Sequence, residues 1–327
     1  MITGITGQDG SYLAELLLEK GYRVFGLIRR TSTEGLGRIQ HLVDRVELVQ
    51  GDLTDSASLQ RALLTVKPQE IYNLGAQSHV GASFTMPVAT GDATALGALR
   101  LFEATRLYLP LSHPCRLYQA SSSEMFGNAA MAPQDEQTPL APVSPYGCAK
   151  VFAHHAAQIY RSAYRLPISC GISFNHESER RGKEFVTRKI TLAVGEIAAG
   201  TRQILRLGNL HARRDWLHAE DVVRAAWLLL QQPEAGDYVI ASGETHSVQE
   251  FVDAAFNIAG INSSEYVKVD PDLFRPLELH TLVGNATKLQ RVTGWRQQIH
   301  FQKLVARMVL HDLPRSPALA DHPSPAT

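Results

Sequence analysis

Cysteine is scarce in this 327-residue chain. Cys115, Cys148 and Cys170 are odd in number and far apart, which excludes a disulfide framework and a CxxC metal site and fits a reducing cytoplasm. Net charge is lacking too. Thirty-two Lys and Arg offset thirty-two Asp and Glu, so nothing marks a dedicated binder of nucleic acid or of an acidic membrane. No apolar run approaches the roughly 20 residues of a membrane span. The opening MITGITGQDG has neither the basic region nor the apolar stretch of a signal peptide. The expectation is a cytoplasmic protein without a membrane partner. What is present is ordinary globular material, 44% hydrophobic and 20% charged, in a chain long enough for two domains at about 100–200 residues each.

Short apolar runs alternate with helical patterns. Residues 1–3 are too few for a full strand but lead into a glycine-rich turn. SYLAELLLEK then places Leu13, Leu16 and Leu17 on one helical face and stops at Gly21. YRVFGLI and VELVQGD read as strands. Leu59, Ala62, Leu63 and Val66 mark a helix capped by Asp55 and ended by Pro68. The strand EIYNLGA, a helix around 96–107 and the strand RLYQASSS follow. This alternation predicts an α/β fold, a doubly wound parallel sheet with helices on both faces. Ligands of such sheets bind beyond the carboxyl ends of the strands, where the turns 4–10, 75–78 and 121–124 should meet in one crevice. After about residue 174 the pattern loosens. FNHESERRG reads as a polar loop, TRKITLAVGEIAAG as a helix and ILRLG as a short strand. HAEDVVRAAWLLLQQ and DYVIAS read as a return to the first sheet. VQEFVDAAFNIAG and a segment near 304–313 read as C-terminal helices, and RSPALADHPSPAT as a disordered tail.

Gly4, Gly7 and Gly10 form a GxxGxxG strand-to-helix turn. Glycine permits positive φ and lets the backbone approach a pyrophosphate resting on a helix N-terminus. The same spacing occurs in plain loops, but here an amphipathic helix follows. The second strand ends in Arg29-Arg30-Thr31-Ser32, with two arginines and no acid. An acid there holds the ribose diol of NAD, whereas an arginine accommodates the 2′-phosphate of NADP. NADP is therefore expected, against the alternative of a solvated basic turn. Ser144 and Pro145 suit the N-cap and first position of a helix, placing Tyr146 and Lys150 one turn apart on one face. Of ten tyrosines only Tyr146 has a lysine four residues on. A nearby ammonium and a cationic nicotinamide both favour phenolate over a free phenol of pKa about 10, so Tyr146 is a candidate base. In Ser121-Ser122-Ser123-Glu124 a hydroxyl can bond a sugar oxygen. Glu124 can take a proton from carbon or be a plain helix-start carboxylate. His176 and the Arg180-Arg181 pair read as solvated loop residues, and Cys148 as a small residue in a packed helix. His154-His155 has no Cys or carboxylate partner at metal spacing and reads as packing; no metal is expected.

GITGQDGSYLAE, YNLGAQSHV, QASSSEMFG, SPYGCAK, FNHES with RRG and EFVTRKI, LGN with RRDW, and FRPLE together resemble the GDP-mannose 4,6-dehydratase family. That family is a branch of the extended short-chain dehydrogenases/reductases, and the resemblance runs from residue 1 to about residue 313. It implies a Rossmann-type doubly wound parallel sheet with a smaller C-terminal α/β substrate domain. Residues 1–174 with 209–241 would bind NADP, residues 175–208 with 242–313 the nucleotide sugar, and 314–327 would be a disordered tail. Carried over by motif, catalysis would fall to Ser122, Glu124, Tyr146 and Lys150. NADP would be held by Gly4, Gly7, Gln8, Asp9, Gly10, Arg29, Arg30, Asp52, Leu53, Leu74, Ala76, Ser78, Lys150, His176 and Arg181. GDP-mannose would be met by Asn175, Lys189, Arg214, Arg275 and Glu278. The resemblance thus moves His176 and Arg181 from solvated to functional. It implies an NADP-dependent lyase forming GDP-4-keto-6-deoxymannose by internal hydride transfer from C4 to C6, assembled as a homodimer or homotetramer.

There are departures. Ser122 stands where the family usually has threonine and keeps the hydroxyl. Glu179 replaces the proline of NHESPRRG, and the added negative charge is expected to weaken the arginines' phosphate grip. Leu217 replaces a glycine after Arg214-Asp215-Trp216, which is expected to disturb the local backbone or substrate fit. The first strand is cut to Met1-Ile2-Thr3. The expectation is either a start codon upstream or lost stability, at about 1 kcal/mol per ladder hydrogen bond and about 1.5–3 kcal/mol per buried side chain. The rival readings are a dehydratase of another GDP-sugar such as GDP-heptose, a nucleotide-sugar epimerase or reductase, and a non-catalytic NADP-sensing protein. A 4-epimerase or 4-keto reductase needs Tyr and Lys but no base for C5, so Glu124 argues against it. A sensor commonly loses the Tyr–Lys pair, which this chain keeps.

Overall fold

The computed structural model describes residues 1–314 apart from 31, 33, 34, 110–114, 275, 276, 278 and 280. The expected tail therefore lies, but for Pro314, outside the described residues. Among the described residues seven strands form one parallel sheet. Its order is Asp237–Ile240, Ile168–Ser173, Arg116–Ser122, Glu70–Asn73, Ile2–Thr3, Phe25–Ile28 and Glu47–Gln50. The chain runs outward to one edge from Ile2–Thr3 and then returns to build the other half. That reversal is the doubly wound arrangement, and it opens a crevice between the first and fourth strands. The first strand has only two residues, yet each pairs on both sides: Ile2 with Gly26 and Tyr72, Thr3 with Leu27 and Asn73. As expected, Asp237–Ile240 rejoins this sheet, beside Ile168–Ser173.

Both faces are covered because the helices carry their apolar residues on one stripe. Leu13 and Leu17 of the helix Gln8–Glu19 pack with Val222, Val223, Ala226 and Leu229 of Ala219–Leu230 on one face. Leu59 and Leu63 of Ser56–Val66 pack with Leu101 and Phe102 of Gly97–Tyr108 on the other. The cap read from sequence forms, with the Asp55 side chain accepting from the Ala57 amide. A further core joins the helices Val186–Ala198, Val248–Ile258 and Phe301–Asp312 around Trp216, Phe251, Phe256 and Phe301.

Three local expectations need correction. The segment FNHES is not wholly a loop: Asn175–Glu177 pairs in parallel with Trp216–His218, Leu217 opposite His176. This pairing satisfies backbone groups that a polar sequence does not advertise. Cys148 is exposed rather than packed, while Cys115 and Cys170 are buried, and all three are free thiols. Leu217 is accommodated by the core rather than left as a local misfit. It is fully buried in the first core with Tyr12 and Val222, so the side chain substituted for glycine fills the core. Leu217→Ala should cost about 2–5 kcal/mol, read as a lower urea midpoint with an unchanged slope. A loss below about 1 kcal/mol would show that the side chain is not packed.

Candidate active site

The turns at the carboxyl ends of the first, fourth and fifth strands converge, as expected, on a cavity of about 990 Å³. Its floor requires glycine. Gly4 has φ +71°, and a Cβ there would lie 2.9 Å from the Gly75 nitrogen; a Cβ on Gly10 would lie 2.2 Å from the Gly4 carbonyl oxygen. The helix Gln8–Glu19 starts after Gly7 with no side-chain cap, leaving its first N–H groups for an anionic ligand. Gly4, Gly7, Gln8, Asp9 and Gly10 line this end, with Arg29, Asp52, Leu53, Leu74, Ala76 and Ser78. Arg30 is exposed and is not among the wall residues. Asn175, Lys189 and Arg214 line the other end. Arg275 and Glu278 lie outside the described residues.

Between the two ends sit the candidate reactive groups. Ser122 closes its strand and Glu124 lies in the turn Ser123–Met125, its amide donating to Ser122 Oγ at 3.3 Å. Tyr146 and Lys150 project from the helix Pro145–Tyr164, where Ser144 Oγ accepts from the Gly147 amide at 3.0 Å. All four are buried and line the cavity. Burial pushes the Tyr146 phenol up to about 12; a hydrogen bond with Ser122 and the charge of Arg181 pull it down, while Glu124 and Asp9 push it up. Burial also brings the Lys150 ammonium down to about 8, against the pull of Asp9. Its Nζ donates to the Ala120 carbonyl at 2.7 Å and lies 5.7 Å from the centre of the Tyr146 ring. The protein's own groups therefore keep the phenol protonated at neutrality, because desolvation of the anion outweighs the neighbouring cations.

His176 and Arg181 are not solvated loop residues, since both line the cavity. His176 Nε2 lies 2.7 Å from Asp9 Oδ2 and Nδ1 lies 2.7 Å from the Phe174 oxygen. Burial opposes both charges, yet the pairing raises His176 and holds Asp9 at about 2. Gln8 straps the glycine turn to the segment 176–178: its Nε2 donates to Asp9 Oδ1 and the His176 oxygen, and its Oε1 accepts from Ser178. Arg181 Nε is 3.1 Å from Glu177 Oε2, and its guanidinium lies 3.6 Å over Phe185.

A serine-bonded tyrosine, a lysine one turn on and a buried carboxylate thus share a cavity with a glycine-floored anion cradle. The sequence matches the family described as GDP-mannose 4,6 dehydratase over residues 1–308. The chain belongs to the GDP-mannose 4,6-dehydratase family. It is 49% identical to GDP-mannose 4,6 dehydratase 1 of Arabidopsis thaliana, across 98% of this chain and 92% of that protein. In fold it is similar to UDP-glucose 4-epimerase of Thermus thermophilus in complex with NAD, with TM-score 0.81, 26% identity and coverage of 95% and 97%. It is also similar to RMD of Pseudomonas aeruginosa complexed with NADPH, with TM-score 0.78, 20% identity and coverage of 95% and 97%.

The charge of Glu179, which stands where the GDP-mannose 4,6-dehydratase family has proline, is not aimed as its place in the sequence suggests. Its carboxylate turns to Tyr12, His218 and Arg307, away from the arginines beside it. Arg180 bonds Ser11 and Glu15 and lies 4.0 Å over the Tyr12 ring. The fold also supplies the partners that His154 lacks in sequence, bringing Cys170 and Asp237 within 4.8 Å of it. Those groups already carry donors. Gln158 Nε2 lies 3.2 Å from His154 Nε2 and 2.8 Å from Asp237 Oδ2, and Arg161 donates to both Asp237 oxygens. The cluster is a hydrogen-bonded packing network. Sequence reasoning missed His79 and Phe185, which meet edge-on at 5.2 Å in the cavity wall, and Arg38, which donates to the Arg180 and Thr6 oxygens. His79 and Phe185 lie within the strings YNLGAQSHV and EFVTRKI but carry no spacing that gives them a role, and no motif marks Arg38.

Proposed function

We propose that this protein dehydrates GDP-mannose to GDP-4-keto-6-deoxymannose, with NADP as its resident cofactor. The observation that carries this reading is the buried Glu124 carboxylate in the same cavity as Ser122, Tyr146 and Lys150. The tyrosine–lysine pair alone suits any redox change at C4, and 4-epimerisation or 4-keto reduction needs no base for C5, whereas loss of water does. The names of the relatives point the same way.

A nicotinamide cofactor fits this wall, since side chains at Gly4 and Gly10 would fill the cradle. Gly4, Gly7, Gln8, Asp9 and Gly10 would hold its pyrophosphate, Asp52, Leu53, Leu74, Ala76 and Ser78 its nucleoside side, Lys150 a ribose, and His176 and Arg181 would close over it. Bound there, it supplies a hydride acceptor and donor. Tyr146, oriented by Ser122, takes the proton of the sugar 4-hydroxyl. Glu124 removes the C5 proton, acidified by the C4 ketone, helps the 6-hydroxyl leave as water, and later returns a proton to C5. Asn175, Lys189 and Arg214 would meet the nucleotide sugar. Residues 1–174 with 209–241 would thus serve the cofactor and 175–208 with 242–313 the sugar. Incubation with GDP-mannose and no added NADPH should yield a product lighter by one water on mass analysis. No such product even with NADP supplied would overturn the reading.

NADP rather than NAD is supported by Arg29 in the wall and the lack of an acid at that strand end. Calorimetry should show tighter binding of NADP, and replacing Arg29 and Arg30 by Ala should remove most of the preference. Equal affinity in the unaltered protein would refute it. A homodimer or homotetramer is supported by Phe152 and Ile159, 44% and 59% exposed on the helix that bears Tyr146. The free thiols support a cytoplasmic setting. Among the described residues no helix is long and apolar enough to cross a membrane.

A further inference from the structure

Glu179 sits between the residues that would close over the cofactor, His176 and Arg181, and its carboxylate is engaged from three other elements. Tyr12 of the first helix donates its hydroxyl to Oε2 at 2.9 Å. His218, fully buried before the helix Ala219–Leu230, places Nε2 3.3 Å from the same oxygen. Arg307 of the helix Phe301–Asp312 donates Nε and Nη2 to Oε1 at 3.1 and 2.9 Å. Burial opposes ionisation of Glu179, but these partners outweigh it and hold the carboxyl well below the usual range. Arg307 is itself oriented by Glu220, which accepts at 3.1 and 2.7 Å. Tyr12 is gripped on both sides, its hydroxyl by Glu179 and its ring by Arg180. Five residues further along the last helix, Asp312 accepts from Thr191 at 2.7 Å and pairs with Arg188. Both lie on the helix that carries Lys189. One helix therefore braces the cofactor loop through Arg307 and the sugar side through Asp312.

We propose that Glu179 and Arg307 form a clamp that sets the loop 178–181, which follows the strand bearing His176, against the cofactor, making Arg307 a positioning residue for cofactor binding although it does not line the cavity. This rests on the NADP reading above. Loop residues that must be ordered on binding lower affinity by the cost of ordering them, and a charge-assisted contact between partly buried groups is stronger than a surface pair. The glutamate that seemed to weaken the arginines' grip thus supports it.

The test measures NADP affinity by calorimetry for the unaltered chain, Glu179→Gln, Arg307→Gln and Arg307→Lys, with circular dichroism as a check of folding. Each Gln variant should bind NADP about tenfold more weakly, equivalent to about 1.4 kcal/mol. The double variant should be little worse than either single one, and Arg307→Lys should recover part of the loss. With NADP and GDP-mannose saturating, kcat should stay within about twofold, since the groups that touch the sugar are unchanged. Asp312→Asn loosens the same helix and should leave NADP affinity unchanged. Folded Gln variants that bind NADP as the parent does would overturn the clamp alone. So would an equal loss in Asp312→Asn, which would mean general loosening. Should Arg307→Gln fail to fold, the nearly isosteric Glu179→Gln decides. Failure of the unaltered protein to bind any nicotinamide nucleotide would overturn the proposed function together with the clamp.

Discussion

Glu124→Gln is expected to lower the rate of water loss from GDP-mannose by about 10²–10⁴-fold, the usual contribution of a positioned acid–base group, while leaving oxidation at C4 possible. Glutamine keeps the shape of a side chain that is only 7% exposed but cannot accept the C5 proton. The backbone here has little room to adjust: a Cβ on Gly147 would already lie 2.8 Å from the Glu124 carbonyl oxygen, so the helix bearing Tyr146 packs against this turn. The effect should therefore be chemical rather than a displacement of the site. In heavy water the unaltered enzyme should place deuterium at C5, because a proton held on a carboxyl group exchanges with solvent. The hydrogen arriving at C6 should come from substrate C4 and carry no deuterium. Mass and NMR analysis of the product reads both. Dehydration at the normal rate by Glu124→Gln would remove the main reason for preferring a dehydratase over an epimerase.

Tyr146→Phe should be at least as damaging, again by about 10²–10⁴-fold or more, and should stop both steps. Without the phenol there is no acceptor for the 4-hydroxyl proton, no ketone forms, and the C5 proton is never acidified. The two variants differ in kind. Glu124→Gln should still exchange label at C4 with the cofactor, whereas Tyr146→Phe should not. Burial pushes the phenol up to about 12 in the protein alone and a cationic nicotinamide would pull it down again, so the rate should rise with pH on the acid side. NADP affinity should survive in Tyr146→Phe, since Lys150 remains anchored on Ala120. Turnover of the folded Phe variant at the parental rate would assign the base elsewhere.

Much of the site was legible in the chain because its parts are local. The glycine turn, the Ser144 cap with Tyr146 and Lys150 one turn apart, and the Ser122–Glu124 string each occupy a few consecutive residues with a characteristic spacing. The meeting of the three turns also followed, since alternating strands and helices leave only a parallel sheet whose strand ends face one way. What stayed hidden involved partners distant in sequence. Nothing near Glu179 announces Arg307, 128 positions away, or Tyr12, 167 positions away. A negative charge read only against its two neighbouring arginines therefore looked harmful. Leu217 looked like a misfit for the same reason: its core neighbours Tyr12 and Val222 come from separate helices. His154 and Asp237 come together across the sheet edge, and Asn175–Glu177 becomes a strand only because Trp216–His218 lies beside it.

By itself, then, the sequence determined the class of fold, the order of most of its elements and the candidate reactive groups. Periodicity, capping and turn chemistry act over at most a few turns of chain and leave their mark in consecutive residues. Only the tertiary structure decided how those groups are tuned. Burial raises the Tyr146 phenol and lowers the Lys150 ammonium, Asp9 is committed to His176, and Glu179 is turned toward the last helix. Desolvation and charge pairing depend on what lies within a few ångströms in space, and the folded chain alone sets those distances.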